Sequence, residues 1–279
     1  MSSAAQDVEA WSGKDRGDEN FPVGSALISP RLRPHIHAFY AFARNADDIA
    51  DSPALTPADK IARLDAMEDV LLGRRAAGSP SALRLRASLA ETGVSADHAS
   101  ELLVAFRRDA SKLRYANWDE LMDYCRYSAM PVGRHVLDLH GEDRATWGPS
   151  DALCAALQVL NHLQDATKDL STLDRCYLPA DLLGRHGAGV EDLRAPAASP
   201  GLRRVFDALL DECDALNRAA RDLPRRTRDR RLRLETAVIV GLAHRLAAKL
   251  RRADPVATRV KLTKPDVVAC LFGALRFVA

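Results

Sequence analysis

Apolar residues recur at intervals of three and four along most of the chain, the spacing that turns one face of an α-helix toward a core. The pattern predicts helices over Arg33–Ala50, Thr56–Leu72, Ser81–Glu91, Ala96–Leu113 and Trp118–Leu139, then over Ser150–Leu170, Leu202–Arg221, Leu232–Arg252 and Lys264–Val278. Pro30 and Pro34 precede the first of these, Asp51-Ser52-Pro53 ends it, and Gly73, Gly78 and Gly93 punctuate the next. Asn117-Trp118-Asp119-Glu120 reads as a capping box, and Pro131 should kink the helix it opens. The Gly/Pro/Ala-rich span 184–201 reads as a surface connection, with a flap over a cavity mouth as its functional alternative. No stretch alternates as a strand would and no repeat appears, so the expected class is all-α. Residues 1–19, polar and small, read as a mobile leader, and 20–279 as one helical domain around a central cavity.

Two of these helices carry an unusual polar face. At about 100° per residue, Gln158, Asn161, Asp165 and Asp169 share a stripe roughly 80° wide. Leu153, Ala156, Val159, Leu160 and Leu163 occupy the other side. In the first helix, Tyr40, Arg44, Asp47 and Asp51 align in the same way, opposite Ala38, Phe42 and Ile49. Polar stripes ordinarily face water. Here both hold paired carboxylates one turn apart, which repel each other on a free helix. If the two helices face each other, four carboxylates converge on one cavity, a costly arrangement without cations. Magnesium suits such a set, being a hard ion that joins a few carboxylates to substrate phosphates. Arg44, Lys168 and Arg175 would suit the remaining phosphate oxygens. The chemistry implied is ionisation of an allylic or cyclopropylcarbinyl diphosphate, with a carbocation developing in an apolar pocket.

Composition narrows the alternatives. The chain's 279 residues, 47% of them hydrophobic, suffice for a large core, and a net charge of +2 does not describe a nucleic-acid binder. Its apolar runs are too short to span a bilayer, and no hydrophobic signal core opens the chain. Cys125, Cys154, Cys176, Cys213 and Cys270 are scattered and show no Cys-x-x-Cys, which suggests a reducing cytoplasm and no zinc site. The basic run from Arg218 to Arg233 reads first as a solvated turn. Its sharper reading is contact with an anionic membrane face, where each basic residue contributes roughly 1 kcal/mol.

These residues resemble the squalene/phytoene synthase family from Phe21 to about Pro265. Tyr40, Arg44, Asp47 and Asp51 match its first aspartate motif; Gln158, Asn161, Asp165 and Asp169 match its second; Tyr124, Ala129 and Gly133 match its central Tyr-x-x-x-x-Ala-x-x-x-Gly. The resemblance implies the isoprenoid-synthase helical bundle, three Mg²⁺ ions between the motifs, an isoprenyl diphosphate substrate and an apolar channel. It implies metal ligation by Asp47, Asp51, Asn161, Asp165 and Asp169, and diphosphate orientation by Arg44, Gln158, Lys168 and Arg175. Tyr40 would meet the diphosphate or the cation, and Phe21, Tyr124, Ala129 and Gly133 would line the hydrocarbon channel.

Glu19-Asn20-Phe21-Pro22-Val23-Gly24-Ser25, Ser128–Arg134 and Gln164-Asp165 look like one bacterial branch of the family, in hopanoid biosynthesis. That branch converts presqualene diphosphate and water to hydroxysqualene and diphosphate without NADPH. Gln164 stands where other members have Arg, which suggests one fixed positive charge fewer at the diphosphate. Asp169 to Arg175 is one step longer than the family spacing, and Lys168 replaces a common acid. Head-to-head condensation of two prenyl diphosphates to presqualene diphosphate, squalene or a phytoene-type product is the alternative enzyme reading. A non-catalytic helical partner within a prenyl-lipid complex is the reading from another class. The expected location is the cytoplasm, extending to peripheral contact with the inner membrane face.

Overall fold

Hydroxyl, amide and carboxylate side chains cap five of the α-helices, and a proline in the first turn reinforces three of those starts. In the computed structural model, which describes residues 8–9 and 27–277, Thr56 caps α2 (Pro57–Leu71) and Ser79 caps α3 (Pro80–Thr92). Asn117 caps α5 (Trp118–Ser128), Ser199 caps α9 (Pro200–Ala220), and Asp229 caps α11 (Arg230–Arg252). Each side chain accepts a backbone N–H that a helix start would otherwise leave unpaired. At α5 the expected reciprocal bond is shifted: the Glu120 carboxylate accepts from Ala116 N at 2.5 Å instead of from the cap itself.

The remaining helices are α1 (Arg33–Asp51), α4 (Asp97–Asp109), α6 (Met130–Leu139), α7 (Trp147–Leu173), α8 (Ala180–Arg185), α10 (Leu223–Arg226) and α12 (Lys264–Ala274). Among the described residues the only β-type pairing is one bridge between Arg114 and Cys176. The class is all-α. Helix α7 packs against α5, α6, α9 and α11, while α1 packs against α2, α3 and α4. Phe42, Ile49, Leu64, Met67, Leu160, Leu163 and Phe206 are among the largest side chains fully withdrawn from solvent. Helix α4 meets both α1 and the α5–α6 pair, so it joins the two halves and leaves a cavity between α1 and α7.

Several expectations are corrected. The long helix expected over Trp118–Leu139 is two helices, because Ala129 leaves helical geometry (φ −129°, ψ −46°) ahead of Pro131. Span 184–201 is largely exposed, as expected of a surface connection, but it is not without structure. It contains a short 3₁₀ turn, Val190–Arg194, whose Leu193 is wholly buried against the core that includes α7. Within the expected leader, Val8 is buried and its N–H donates to Gly78 O at 3.0 Å. The neighbouring Glu9 carboxylate accepts from Ser81 N at 2.6 Å, so these residues are tied to the start of α3. The expected channel residue Phe21 lies outside the described residues.

Helix α7 ends at Asp174, a non-glycine residue in left-handed geometry (φ 51°). The Arg114 guanidinium donates to its carboxylate at 2.7 Å. The turn folds the chain back on the helix, with Arg175 N donating to Asp169 O at 3.2 Å. Arg175 is thereby sent into the protein, toward the end of α1.

Candidate functional site

The two polar stripes reach one cavity in part, since Asp51, Asp165 and Asp169 are not among the residues that line it. Tyr40, Ala43, Arg44 and Asp47 of α1 and Leu157, Gln158 and Asn161 of α7 line one cavity of about 390 Å³. Helices α4, α5, α6 and α11 complete its wall with Phe106, Tyr124, Ala129, Val132, Gly133, Val136, Leu232, Ile239 and others. Polarity is graded along both motif helices. Ile36 and Phe39 of α1, and Leu153 and Cys154 of α7, lie toward the helix starts; the motif residues follow toward the ends. Polar and apolar side chains thus occupy separate stretches of one space.

Gly133 lies in the contact between α6 and α7. A Cβ built there would stand 2.4 Å from Ser150 Oγ and 2.7 Å from Cys154 Sγ, so the position is both a packing notch and cavity wall. Tyr124 also lines the cavity, and its hydroxyl donates to Asp109 Oδ2 at 2.8 Å. Burial pushes the Asp109 carboxyl up to about 7, against the opposing pull of the Arg175 charge and the Tyr124 hydroxyl. Tyr115, Tyr124, Tyr177 and His162 form an aromatic cluster here, with His162 stacked on Tyr177 at 3.5 Å between centroids. Burial, and then the Arg175 charge, holds the His162 imidazole down at about 3. Gln158 Nε2 lies 3.3 Å from Nε2 of that ring.

Around the acidic ends, guanidinium groups stand beside the carboxylates. Arg44 places Nη1 3.1 Å from Asp47 Oδ2 and donates Nη2 to Asp48 Oδ1 at 2.7 Å. Asp48 has only 3% of its side chain exposed, so it backs Arg44 from inside, whereas Asp47 keeps 33%. Arg175 donates to Asp51 Oδ1 at 2.6 Å and to the carbonyls of Ala50 (3.3 Å) and Asp109 (2.9 Å). The extra residue between Asp169 and Arg175 is absorbed by the Asp174 turn. Arg175 therefore spans from the end of α7 to the end of α1.

Arg259, in the segment after α11, places Nε 2.6 Å from Asp165 Oδ1 and donates Nη2 to Oδ2 at 2.8 Å. Gln164 is buried and donates to the Val260 carbonyl at 2.6 Å. Position 164 thus fastens the segment whose arginine meets Asp165. The positive charge expected to be lost at 164 is supplied from 259. Lys168 is exposed beside Asp169, and its charge acts to lower that carboxyl's pKa. Burial first, and then the neighbouring Asp165 charge, push the Asp169 carboxyl up to about 7; Asp51 adds to this.

Oxygen donors dominate this end, and the crowding at Asp169 is a surplus of negative charge that a hard cation would relieve. Among the described residues no group of three His, Cys, Asp or Glu stands close enough to hold an ion by itself. The set fits magnesium in the way that ion is usually held, by one or two carboxylates at a time with phosphate and water oxygens completing the shell.

Helical spacing alone did not point to Arg259, Asp48 or Asp109. Arg259 lies in an irregular segment, Asp48 sits off the motif stripe, and Asp109 gains meaning only through Tyr124 and Arg175. A wider cleft of about 570 Å³ between α11 and α12 contains none of the motif residues.

The squalene/phytoene synthase family matches residues 14–266. The chain is 49% identical over 275 residues to the hydroxysqualene synthase of Rhodopseudomonas palustris, covering 99% of this chain and 93% of that protein. It is 45% identical over 265 residues to the hydroxysqualene synthase of Zymomonas mobilis, covering 94% and 89%. Among solved structures, squalene synthase HpnC of Alicyclobacillus acidocaldarius is similar with a TM-score of 0.75 at 37% identity, over 85% of this chain and 90% of that one. A dehydrosqualene synthase solved with a ligand gives a TM-score of 0.80 at 20% identity over 94% and 92%, a likeness of fold alone.

Proposed function

The chain belongs to the squalene/phytoene synthase family, and on that premise we propose that it converts presqualene diphosphate and water to hydroxysqualene and diphosphate. The observation that carries the reading is the shared cavity: Asp47 of the first motif and Gln158 and Asn161 of the second line it together, Asp51, Asp165 and Asp169 follow farther along the same two helices, and apolar side chains line much of the rest. Relatives named hydroxysqualene synthase, 45–49% identical over most of the chain, select this reaction from the family's repertoire.

In this reading Arg44, Lys168 and Arg175 orient the diphosphate by charge, and Gln158 by its amide. Asp48 holds Arg44 in place from behind. Tyr40 stands where it meets either the diphosphate or the cation. Magnesium would be held by Asp47, Asp51, Asn161, Asp165 and Asp169, and when bound it supplies charge neutralisation to the leaving diphosphate. The apolar wall around Tyr124, Ala129 and Gly133 excludes bulk water from the cation, which prevents uncontrolled capture. No hydride is needed, since capture by water ends the reaction, so no nicotinamide enters. Presqualene diphosphate with Mg²⁺ and no nicotinamide should give hydroxysqualene, identified by mass spectrometry, without a second prenyl donor. Product appearing only from two prenyl diphosphates would favour the condensation reading.

The same reading extends to the membrane from which so apolar a substrate is drawn. Among the described residues no helix is long and apolar enough to cross a bilayer. Helix α12, however, exposes Val267, Val268, Leu271 and Phe272, the last at 70%, and Leu275 follows them. An apolar patch of this kind marks an interaction surface. Basic side chains border it: Arg276 and Arg225 lie 5.1 and 5.9 Å from the Phe277 ring. Part of the arginine run instead serves the fold, since the backbone N–H groups of Arg228 and Asp229 donate to the buried Glu142 carboxylate. The surface is assigned to the anionic inner face of the cytoplasmic membrane. The protein should float with vesicles containing phosphatidylglycerol, and Phe272→Asp should abolish this at unchanged thermal stability. Undiminished flotation of that variant would rule α12 out.

A further inference from the structure

Most polar side chains in the cavity wall already have partners. Tyr124 donates to Asp109, Thr236 Oγ1 donates to the Arg233 carbonyl at 3.0 Å, and Arg44 meets both Asp47 and Asp48. His135 differs. It lines the cavity from α6, together with Val132 and Val136, and is 1% exposed. Among the described residues neither its Nδ1 nor its Nε2 has a hydrogen-bond partner. Its ring lies flat on Phe39, another lining residue, with centroids 3.9 Å apart. His98, edge-on to it at 6.3 Å, offers a contrast: its Nε2 meets Asp138 Oδ2 at 2.9 Å, and it does not line the cavity. Burying an imidazole with both nitrogens unsatisfied is costly, and a native structure that does so calls for a reason.

We infer that His135 holds the water that captures the carbocation and takes the proton that capture sets free. The assignment rests on the water-capture reaction proposed above. Burial, and then the nearness of His98 and His35, holds the imidazole down at about 3. At neutral pH the ring is therefore uncharged and does not repel a cation, and one nitrogen presents a lone pair. That lone pair accepts an O–H of the water and leaves the water's own lone pair for carbon. Once the carbon–oxygen bond to diphosphate has broken and its electron pair has left with the leaving group, the water oxygen forms a bond to the cationic carbon. One O–H bond of the resulting oxonium then breaks, its electron pair staying on oxygen and its proton passing to the imidazole nitrogen. A protonated alcohol is a far stronger acid than this imidazolium, so the transfer runs downhill even to so weak a base. The same burial then drives the proton off again to solvent as the product leaves.

Ser128, the last residue of α5, is the competing candidate. It also lines the cavity, and its Oγ is buried without a hydrogen-bond partner. A hydroxyl can hold a water, but it is a much weaker base than an imidazole and does not account for the proton. The acids of the wall, Asp47 and Glu235, both have partners already.

The experiment supplies presqualene diphosphate and Mg²⁺ in H₂¹⁸O and compares wild type with His135→Phe and Ser128→Ala, reading diphosphate release and the labelled alcohol separately. Phe keeps a flat ring against Phe39 and removes both nitrogens. In His135→Phe, release should stay within about tenfold of wild type, while the alcohol's share of product falls on the order of 100-fold in favour of an elimination product. Release and alcohol falling in equal measure would mark a packing role and overturn the assignment. A fall in the share produced by Ser128→Ala and not by His135→Phe overturns it as well. If His135→Phe does not fold, His135→Leu is put to the same comparison and the same results decide. Wild type that releases diphosphate without making labelled alcohol defeats the reaction and the assignment together. Labelled alcohol from wild type with an unchanged share in the His135 variant defeats the assignment alone.

Discussion

Replacing Asp47 or Asp165 with Asn is expected to lower turnover by at least roughly 10²–10³-fold, the range seen when one preorganised charge-stabilising group is removed, while leaving the helical circular dichroism unchanged. Both substitutions keep shape and remove charge. Asp47 has 33% of its side chain exposed, and the partner of Asp165, Arg259, keeps 39% of its own, so that guanidinium can reach water once released. Neither change therefore threatens the core. Asp48 serves as an internal comparison: it lies next to Asp47 in sequence, yet it is buried behind Arg44 and does not line the cavity. Its replacement acts through Arg44 and should raise KM more than it lowers kcat. Turnover of the Asp47 or Asp165 variant within a few-fold of wild type would remove the ligand assignment.

The second large effect falls on stability. Arg175→Met should cost about 3–5 kcal/mol, as expected when one member of a buried ion pair is removed and the other is left. Arg175 is 5% exposed, and its partner Asp51 keeps 22% of its side chain accessible. The same guanidinium satisfies carbonyls of Ala50 and Asp109, which would lose their donors. The Asp109 carboxyl would also lose a charge that now restrains its upward shift. A fall in melting temperature on the order of 10 °C should follow. An unaltered melt would mean that these contacts do not hold the ends of α1 and α7 together.

Much of this site was legible along the chain because its residues share helix faces. Tyr40, Arg44, Asp47 and Asp51 on one helix, and Gln158, Asn161, Asp165 and Asp169 on another, are neighbours by spacing alone. Whatever depends on two distant segments meeting was not legible in that way. Gln164 reads along the chain only as one positive charge fewer, whereas its amide fastens Val260 beside Arg259, which meets Asp165 from ninety-odd residues away in sequence. Pro131 announced a kink, but the helix breaks fully at Ala129, because Pro131 has no N–H to give the carbonyl of Tyr127 and its ring crowds that carbonyl. The left-handed turn at Asp174 left no glycine to mark it.

The grading of polarity along α1 and α7 has a practical meaning for chain length. Since each helical turn advances about 5.4 Å, Leu157 and Leu153 on one side and Ala43, Phe39 and Ile36 on the other form rungs of a depth gauge beneath the acidic rim. A bulky replacement at one rung would shorten the hydrocarbon that fits by about that rise, with the charged rim left as it is. Tuning for shorter or longer isoprenoids can then proceed rung by rung, separately from the machinery that breaks the bond.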